Sequence, residues 1–378
     1  MADRHIYLDH AATTPIAPAV LSKMLPYMQD RYANPSSLYP SANAVRSDVE
    51  KARRSIKELI GGQDGNLIFT SGGTEANNWA IDGIVRAHDV RHIITSPLEH
   101  SSVLASIRMC QTKGVTCEYV PLRSDGGIHY EALEMLLKRC PNALVSLMHG
   151  NNEVGNMTDI ARVASLCKQH GALLHSDMVQ TLGYYPVDVT AWGVDICTGS
   201  AHKFYGPKGI GFLYVGEGIP IAPLLHGGQQ ERGLRGGTEN VPGIIGMAHA
   251  LLAMHEYQKK YRAHVQALKQ YMAEKLAKTI PGIRFHGQCI DMKQSICTIL
   301  NVGIPGVEKE TFILQLAMRG IAASGGSACM SGSKTTSHVL HALGVPEQEA
   351  IVRFSLGLHS KYEDIDHVIH TLADIIHT

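Results

Sequence analysis

Six short segments carry residues whose types and spacing could do chemistry. Lys203 stands in Gly199-Ser200-Ala201-His202-Lys203-Phe204-Tyr205-Gly206-Pro207-Lys208-Gly209, behind a strand-like run and flanked by Ser and His. An amine whose pKa is lowered by its site becomes a nucleophile and condenses with an aldehyde, so Lys203 can be a Schiff-base lysine; a solvated lysine on a surface loop explains the bare segment as readily. Asp177 closes the apolar run Ala172-Leu173-Leu174-His175-Ser176-Asp177 and precedes Gln180. Open α/β sheets bind ligands outside their strands' carboxyl ends, where a carboxylate suits a protonated ring nitrogen. Asp is equally at home capping the next helix. Thr70-Ser71-Gly72-Gly73-Thr74-Glu75-Ala76-Asn77 reads as strand, glycine turn and helix start, which can cradle a phosphate or be an ordinary turn; neither GK[ST] nor GxGxxG is present.

Three more segments follow the same logic. His100 comes shortly after the strand-like run ending at Ser96, near the other strand ends in topology, although a lone His is more often structural. The glycine- and arginine-bearing stretch Gly227–Asn240 has no periodicity and either binds an anion or is a surface loop. Cys329 sits in Ser324-Gly325-Gly326-Ser327-Ala328-Cys329-Met330-Ser331-Gly332-Ser333. Small polar residues cannot pack a core, so a mobile loop is expected there, with an accessible thiol that becomes nucleophilic once its thiolate is stabilised.

The elements that must position these residues alternate. Strand-like runs at Leu67–Thr70, His92–Thr95, Thr116–Val120, Leu144–Met148, Ala172–His175, Asp195–Thr198 and Gly209–Val215 are separated by helical spacing at Asn43–Ile60, Asn77–His88, Ser101–Thr112, Tyr130–Arg139 and Ile160–His170. That is the pattern of βαβ units and a mainly parallel, helix-covered sheet. A long helix over about Pro242–Ile280 leads to a smaller α/β unit with strands expected at Ser295–Leu300 and Val352–Leu356.

Composition bounds the function. The 378 residues are 44% hydrophobic and 18% charged, which suits a globular chain of roughly two or three domains, or one large one with an appendage. Lys+Arg and Asp+Glu are both 34, so nothing favours nucleic acid or an anionic membrane as partner. No apolar run reaches the length of a transmembrane helix, and no apolar stretch follows Met1–His5, so neither a membrane span nor a secretory signal is expected. The eight cysteines form no CxxC pair, and no HExxH occurs. A reduced, cytoplasmic protein without a structural metal is expected, with seven of the eight being packing residues.

Taken together, these motifs resemble the NifS/IscS-type cysteine desulfurases, fold-type I pyridoxal-phosphate enzymes of the class V aminotransferase superfamily. The resemblance runs from Tyr7-Leu8-Asp9-His10-Ala11-Ala12-Thr13-Thr14-Pro15, through Asn151-Asn152-Glu153-Val154-Gly155, to Arg353-Phe354-Ser355-Leu356-Gly357. It implies an α/β fold with a mainly parallel seven-stranded sheet in a large cofactor domain, residues 15–259. Residues 1–14 and 260–378 would form a smaller α/β domain carrying the Cys329 loop, about 324–337. It implies pyridoxal 5'-phosphate as a covalent aldimine on Lys203, with Asp177 on the ring nitrogen, Gln180 on the ring hydroxyl and His100 stacked on the ring. Gly73, Thr74, Ser200 and His202 would hold the phosphate, and Thr238 would reach the phosphate of the partner subunit's cofactor in a homodimer. Asn152 would contact cofactor and substrate, and Arg353, with Asn34, the substrate carboxylate. The implied reaction takes L-cysteine to L-alanine: Lys203 removes the α-proton, His100 shuttles a proton, and Cys329 attacks the substrate sulfur to become a persulfide. The sulfur would pass to an iron–sulfur scaffold or a tRNA-thiolation protein.

Three departures accompany the resemblance, one of them the atypical tail Met330-Ser331-Gly332-Ser333-Lys334-Thr335-Thr336 after Cys329. The family's Asn-Pro-Ser-Ser-x-His-x-x-Gly reads Asn34-Pro35-Ser36-Ser37-Leu38-Tyr39-Pro40-Ser41-Ala42 here, without the His and Gly. Met178 replaces a small residue, which predicts crowding beneath the cofactor. Rival readings are a selenocysteine lyase or an aminotransferase of the same superfamily, and an assembly scaffold without catalysis; an aminotransferase has no need of Cys329.

Overall fold

The apolar runs read from the sequence become the strands of one sheet. The computed structural model describes residues 5–325 and 337–377. Its strands are β1 (Ile6–Tyr7), β2 (Asn66–Thr70), β3 (His92–Thr95), β4 (Thr116–Tyr119), β5 (Leu144–Ser146), β6 (Leu173–Asp177), β7 (Ile196–Ser200), β8 (Gly211–Val215), β9 (Arg284–Phe285), β10 (Ile299–Ile304), β11 (Ile321–Ala322) and β12 (Ala350–Ser355). Its helices are α1 (Pro18–Gln29), α2 (Pro40–Leu59), α3 (Gly73–His88), α4 (Ser101–Gln111), α5 (Tyr130–Arg139), α6 (Ile160–Gln169), α7 (Val189–Trp192), α8 (Val241–Thr279), α9 (Lys309–Met318), α10 (His338–Ala342) and α11 (Tyr362–His377).

The large sheet has seven strands in the order β2-β8-β7-β6-β5-β3-β4. Its strands run parallel except β8, which is antiparallel to both of its neighbours, β2 and β7. Side chains alternate across a strand, and here the alternation feeds two apolar layers. On one face Leu67, Phe69, Val145, Leu174 and Phe212 meet the core formed with α2 and α8. On the other Ile68, Ile93, Leu144, Ile196 and Leu213 pack with Trp79 and Ile84 of α3 and with Val103 and Ile107 of α4. Covered on both sides, β5 is buried throughout, and its stretch Leu144–Met148 reads as an apolar run broken only by Ser146.

The remaining strands form two smaller sheets, β12-β10-β9 and β1-β11. The expected second strand matches β12, but the one expected at Ser295–Leu300 begins four residues later, at Ile299. Residues 295 and 296 are instead taken up by a buried lysine: Lys269 Nζ donates to Ser295 Oγ and Ile296 O, both at 2.8 Å. The expected boundary at residue 259 falls inside the continuous helix α8.

Two histidines of the core carry a stability signature. Burial pushes the imidazoles of His149 and His175 from 6.5 down to about 4. Between those values the unfolded chain binds the protons and the folded chain does not. The stability these residues confer is therefore complete above about 6.5 and is lost as pH falls through about 4. Urea unfolding of wild type and His175→Gln should show a stability difference that shrinks from pH 7 to pH 5; a constant difference would contradict this account.

Candidate active site

Parallel strands deliver their carboxyl ends to one edge of the sheet, and the chemistry gathers there. Asp177 is the last residue of β6, and Lys203 ends the single 3-10 turn that follows β7. Gly73 opens α3 just after β2, and His100 caps α4. A cavity of about 270 Å³ at this edge is lined by Gly73, Thr74, His100, Asn152, Asp177, Gln180, Ser200, His202, Lys203 and Arg353, together with Ala11, Ala12, Met148, Gly150 and Val179.

Lys203 Nζ donates to the carbonyls of Ala11 at 2.6 Å and Ala12 at 2.8 Å. Gln180 Nε2 also donates to Ala11 O, at 3.0 Å. The segment after β1 is thus the third wall of the site, contributed through backbone oxygens that carry no side-chain signal.

Asp177 is held from two sides. Its Oδ1 accepts from Val179 N at 2.9 Å and its Oδ2 from Asn77 Nδ2 at 2.7 Å. Asn77 Oδ1 in turn accepts from Thr198 Oγ1 at 2.7 Å, and Asn77 Nδ2 also reaches Ser102 Oγ at 3.0 Å. Ser102 Oγ lies 2.7 Å from His100 Nδ1, which accepts from Ser102 N at 3.2 Å. With Nδ1 acting as an acceptor, the proton of the neutral ring resides on Nε2. Asn77 therefore orients both the carboxylate and the imidazole. It belongs to the Thr70–Asn77 motif, but its long-range bonds left no sign in the sequence.

Burial holds the His100 imidazole below its ordinary range, with further lowering from Lys203 and His338 against the opposing Asp177. His202 is pushed down to about 4 by burial and by Lys203 and Lys208. Beside His100, Glu99 is fully enclosed, and burial raises its carboxyl well above the carboxylate range.

The residues fit pyridoxal phosphate. Helix α3 has no side-chain cap at Gly72, so its first-turn N–H groups are available to a phosphate beside Thr74 and Ser200. A Cβ at Gly73 would stand 2.9 Å from Val179 Cγ2, so the close approach there requires glycine. Asp177 accepts one hydrogen bond on each oxygen, and a carboxylate can accept more, which leaves capacity for a ring N–H. Arg353 is 1% exposed; its Nη1 donates to Asn152 O at 2.9 Å and its Nη2 to Asp9 Oδ1 at 2.7 Å.

Other expected residues lie elsewhere. Thr238 and Asn34 are exposed and do not line the cavity; Asn34 Oδ1 accepts from Ser36 N at 2.9 Å in a local turn. The arginines of the Gly227–Asn240 stretch have protein partners: Arg235 binds Glu75, Nε to Oε1 at 2.6 Å, and Arg232 binds Asn66. Met178 corrects an expectation. It is fully buried in the core cluster and does not line the cavity, which Val179 does, so it does not crowd the site. Cys329 lies outside the described residues. The seven described cysteines are free thiols, six of them buried. Burial pushes the thiol of Cys167 up to about 12 and that of half-buried Cys117 up to about 11.

Residues 6–368 match the Aminotransferase class-V family. The chain is 39% identical over 378 residues to a protein named cysteine desulfurase IscS from Dictyoglomus turgidum, covering 99% of this chain and 95% of that one. It is 38% identical to the cysteine desulfurase IscS of Methanosarcina thermophila, covering 99% and 92%. Among solved structures, a NifS-like protein superposes with a TM-score of 0.91 at 33% identity, covering 99% of this chain and all of that one. A NifS-like protein from Rickettsia africae gives 0.89 at 29%, with the same coverage.

Proposed function

Since the chain belongs to the class V aminotransferase family, we propose that it acts on L-cysteine as a cysteine desulfurase, removing the sulfur and releasing L-alanine. The observation that carries this reading is the meeting of Lys203, Asp177, His100 and Arg353 on one cavity, in a chain alike from end to end to proteins named cysteine desulfurases.

The family depends on pyridoxal phosphate. Lys203 would hold it covalently, Asp177 would face its ring nitrogen, Gln180 its ring hydroxyl, and His100 its ring face. Gly73, Thr74, Ser200 and His202 would take its phosphate. When bound, the group supplies an electron sink for a carbanion at the substrate Cα, stronger when the ring nitrogen is protonated beside a carboxylate.

The chain's own groups do the rest. Arg353 and Asn152 orient the substrate carboxylate, a planar anion suited to the guanidinium fork. Lys203 Nζ accepts the Cα proton. His100, neutral and protonated at Nε2, exchanges the proton of the substrate thiol, and its lowered pKa keeps it in the neutral form at neutral pH. The Cys329 thiolate attacks the substrate sulfur; the Cβ–S bond breaks, Cys329 becomes a persulfide, and protons returned to the carbon skeleton complete L-alanine. One thiol and one cysteine thus give one persulfide and one alanine.

We further infer two domains, residues 15–259 and residues 1–14 with 260–378. We also infer a homodimer in which exposed Thr238 serves the partner's cofactor phosphate, and a protein sulfur acceptor of the iron–sulfur or tRNA-thiolation kind. Among the described residues no helix is long and apolar enough to cross a membrane. Incubating the cofactor-loaded protein with L-cysteine should yield alanine and protein-bound sulfane sulfur in equal amounts. Keto acid in place of alanine would identify an aminotransferase instead.

A further inference from the structure

Arg353 meets the cavity with its charge already answered from within the chain. Asp9 Oδ1 accepts from Nη2 at 2.7 Å, and Asn152 O accepts from Nη1 at 2.9 Å. Its Nε is buried and makes no hydrogen bond among the described residues. A guanidinium only 1% exposed needs a counter-charge, because an uncompensated buried charge is strongly destabilising. Asp9 supplies it across 344 positions of sequence. The Asp9 side chain is 17% exposed, so it retains solvent toward which it can turn.

We propose that Asp9 is a positioning residue that tunes affinity: an internal carboxylate that competes with the amino-acid carboxylate for Arg353 and so sets how tightly substrate and product are held. The proposal rests on Arg353 as the carboxylate ligand. An incoming carboxylate either shares the guanidinium with Asp9, whose negative charge repels it, or displaces Asp9 and forfeits that ion pair. Both routes weaken binding. L-cysteine and L-alanine carry the same carboxylate, so the effect is uniform: it raises KM and speeds alanine release without altering the chemical step.

The test is calorimetric titration of the cofactor-loaded protein with L-alanine. Asp9→Asn keeps an oxygen for Arg353 and removes the charge; it should bind L-alanine about tenfold more tightly and lower the KM for L-cysteine by a similar factor. Binding of cysteamine, which lacks the carboxylate, should not change. Unchanged or weaker L-alanine binding by folded Asp9→Asn overturns the proposal, as does equal tightening for cysteamine. If that variant does not fold, Asp9→Glu carries the test: it keeps the charge and pushes the carboxylate further onto the fork, so weaker L-alanine binding supports competition and unchanged or tighter binding refutes it. Arg353→Lys separates the two readings. If it leaves L-alanine binding intact, the assignment of Arg353 itself fails; if it weakens binding while Asp9→Asn changes nothing, only the role of Asp9 fails.

Discussion

Lys203→Ala is expected to lose alanine formation from L-cysteine by at least about 10²–10⁴-fold, the range associated with a positioned proton-transfer group, and to lose the covalent hold on the cofactor as well. The visible absorbance of the cofactor-loaded protein should disappear after gel filtration, because noncovalent contacts alone remain. Lys203 Nζ also ties the carbonyls of Ala11 and Ala12, so some loss of stability accompanies the change. Lys203→Arg separates the effects: it keeps a cation near those carbonyls but cannot form the imine. Alanine production near the wild-type rate in either variant would remove Lys203 from the reaction.

Cys329→Ser should abolish both alanine formation and protein-bound sulfane sulfur while leaving the cofactor absorbance intact. The expectation comes from the family resemblance, which places the sulfur-accepting cysteine at Cys329, and from thiol chemistry. A sulfur acceptor must be a thiolate, and burial raises the pKa of the described thiols it reaches, Cys167 to about 12 and Cys117 to about 11. Substitution of Cys117 by Ser should therefore leave sulfur transfer unchanged. Persistent persulfide formation in Cys329→Ser would point to another acceptor. Loss of protein-bound sulfane sulfur with continued alanine release would mean that the thiol of a second L-cysteine takes the sulfur as a soluble persulfide, and would limit Cys329 to carriage.

The kinds of chemistry were legible because strand ends are local. The apolar start of Leu173 to Asp177 declares a buried strand, and strand ends of a parallel sheet collect ligands, so Asp177 and Lys203 stand out as candidates without knowledge of their neighbours; the family resemblance separates them from a helix cap and a surface lysine. Glycine at position 73 was legible too, since a turn into a helix start has a recognisable composition. Strand limits were less so. Ser295 to Thr298 has strand character, but bonds to Lys269 hold residues 295 and 296 outside the ladder, and no local pattern encodes a partner from another helix.

By itself, then, the sequence determines the mainly parallel sheet and the order of its helices, because periodicity and turn composition act over a few residues, and it offers the lysine, aspartate and histidine at the strand ends as candidates whose roles the family resemblance implies. The tertiary structure alone decided that Asn77 orients Asp177, that the backbone of Ala11 and Ala12 receives Lys203, that Met178 turns into the core, and that Asp9 lies on Arg353. Each of those contacts depends on segments that are distant in the chain and meet only in the folded structure. Three of them are carried by a carbonyl, an amide or a carboxylate that would look ordinary anywhere else in the chain.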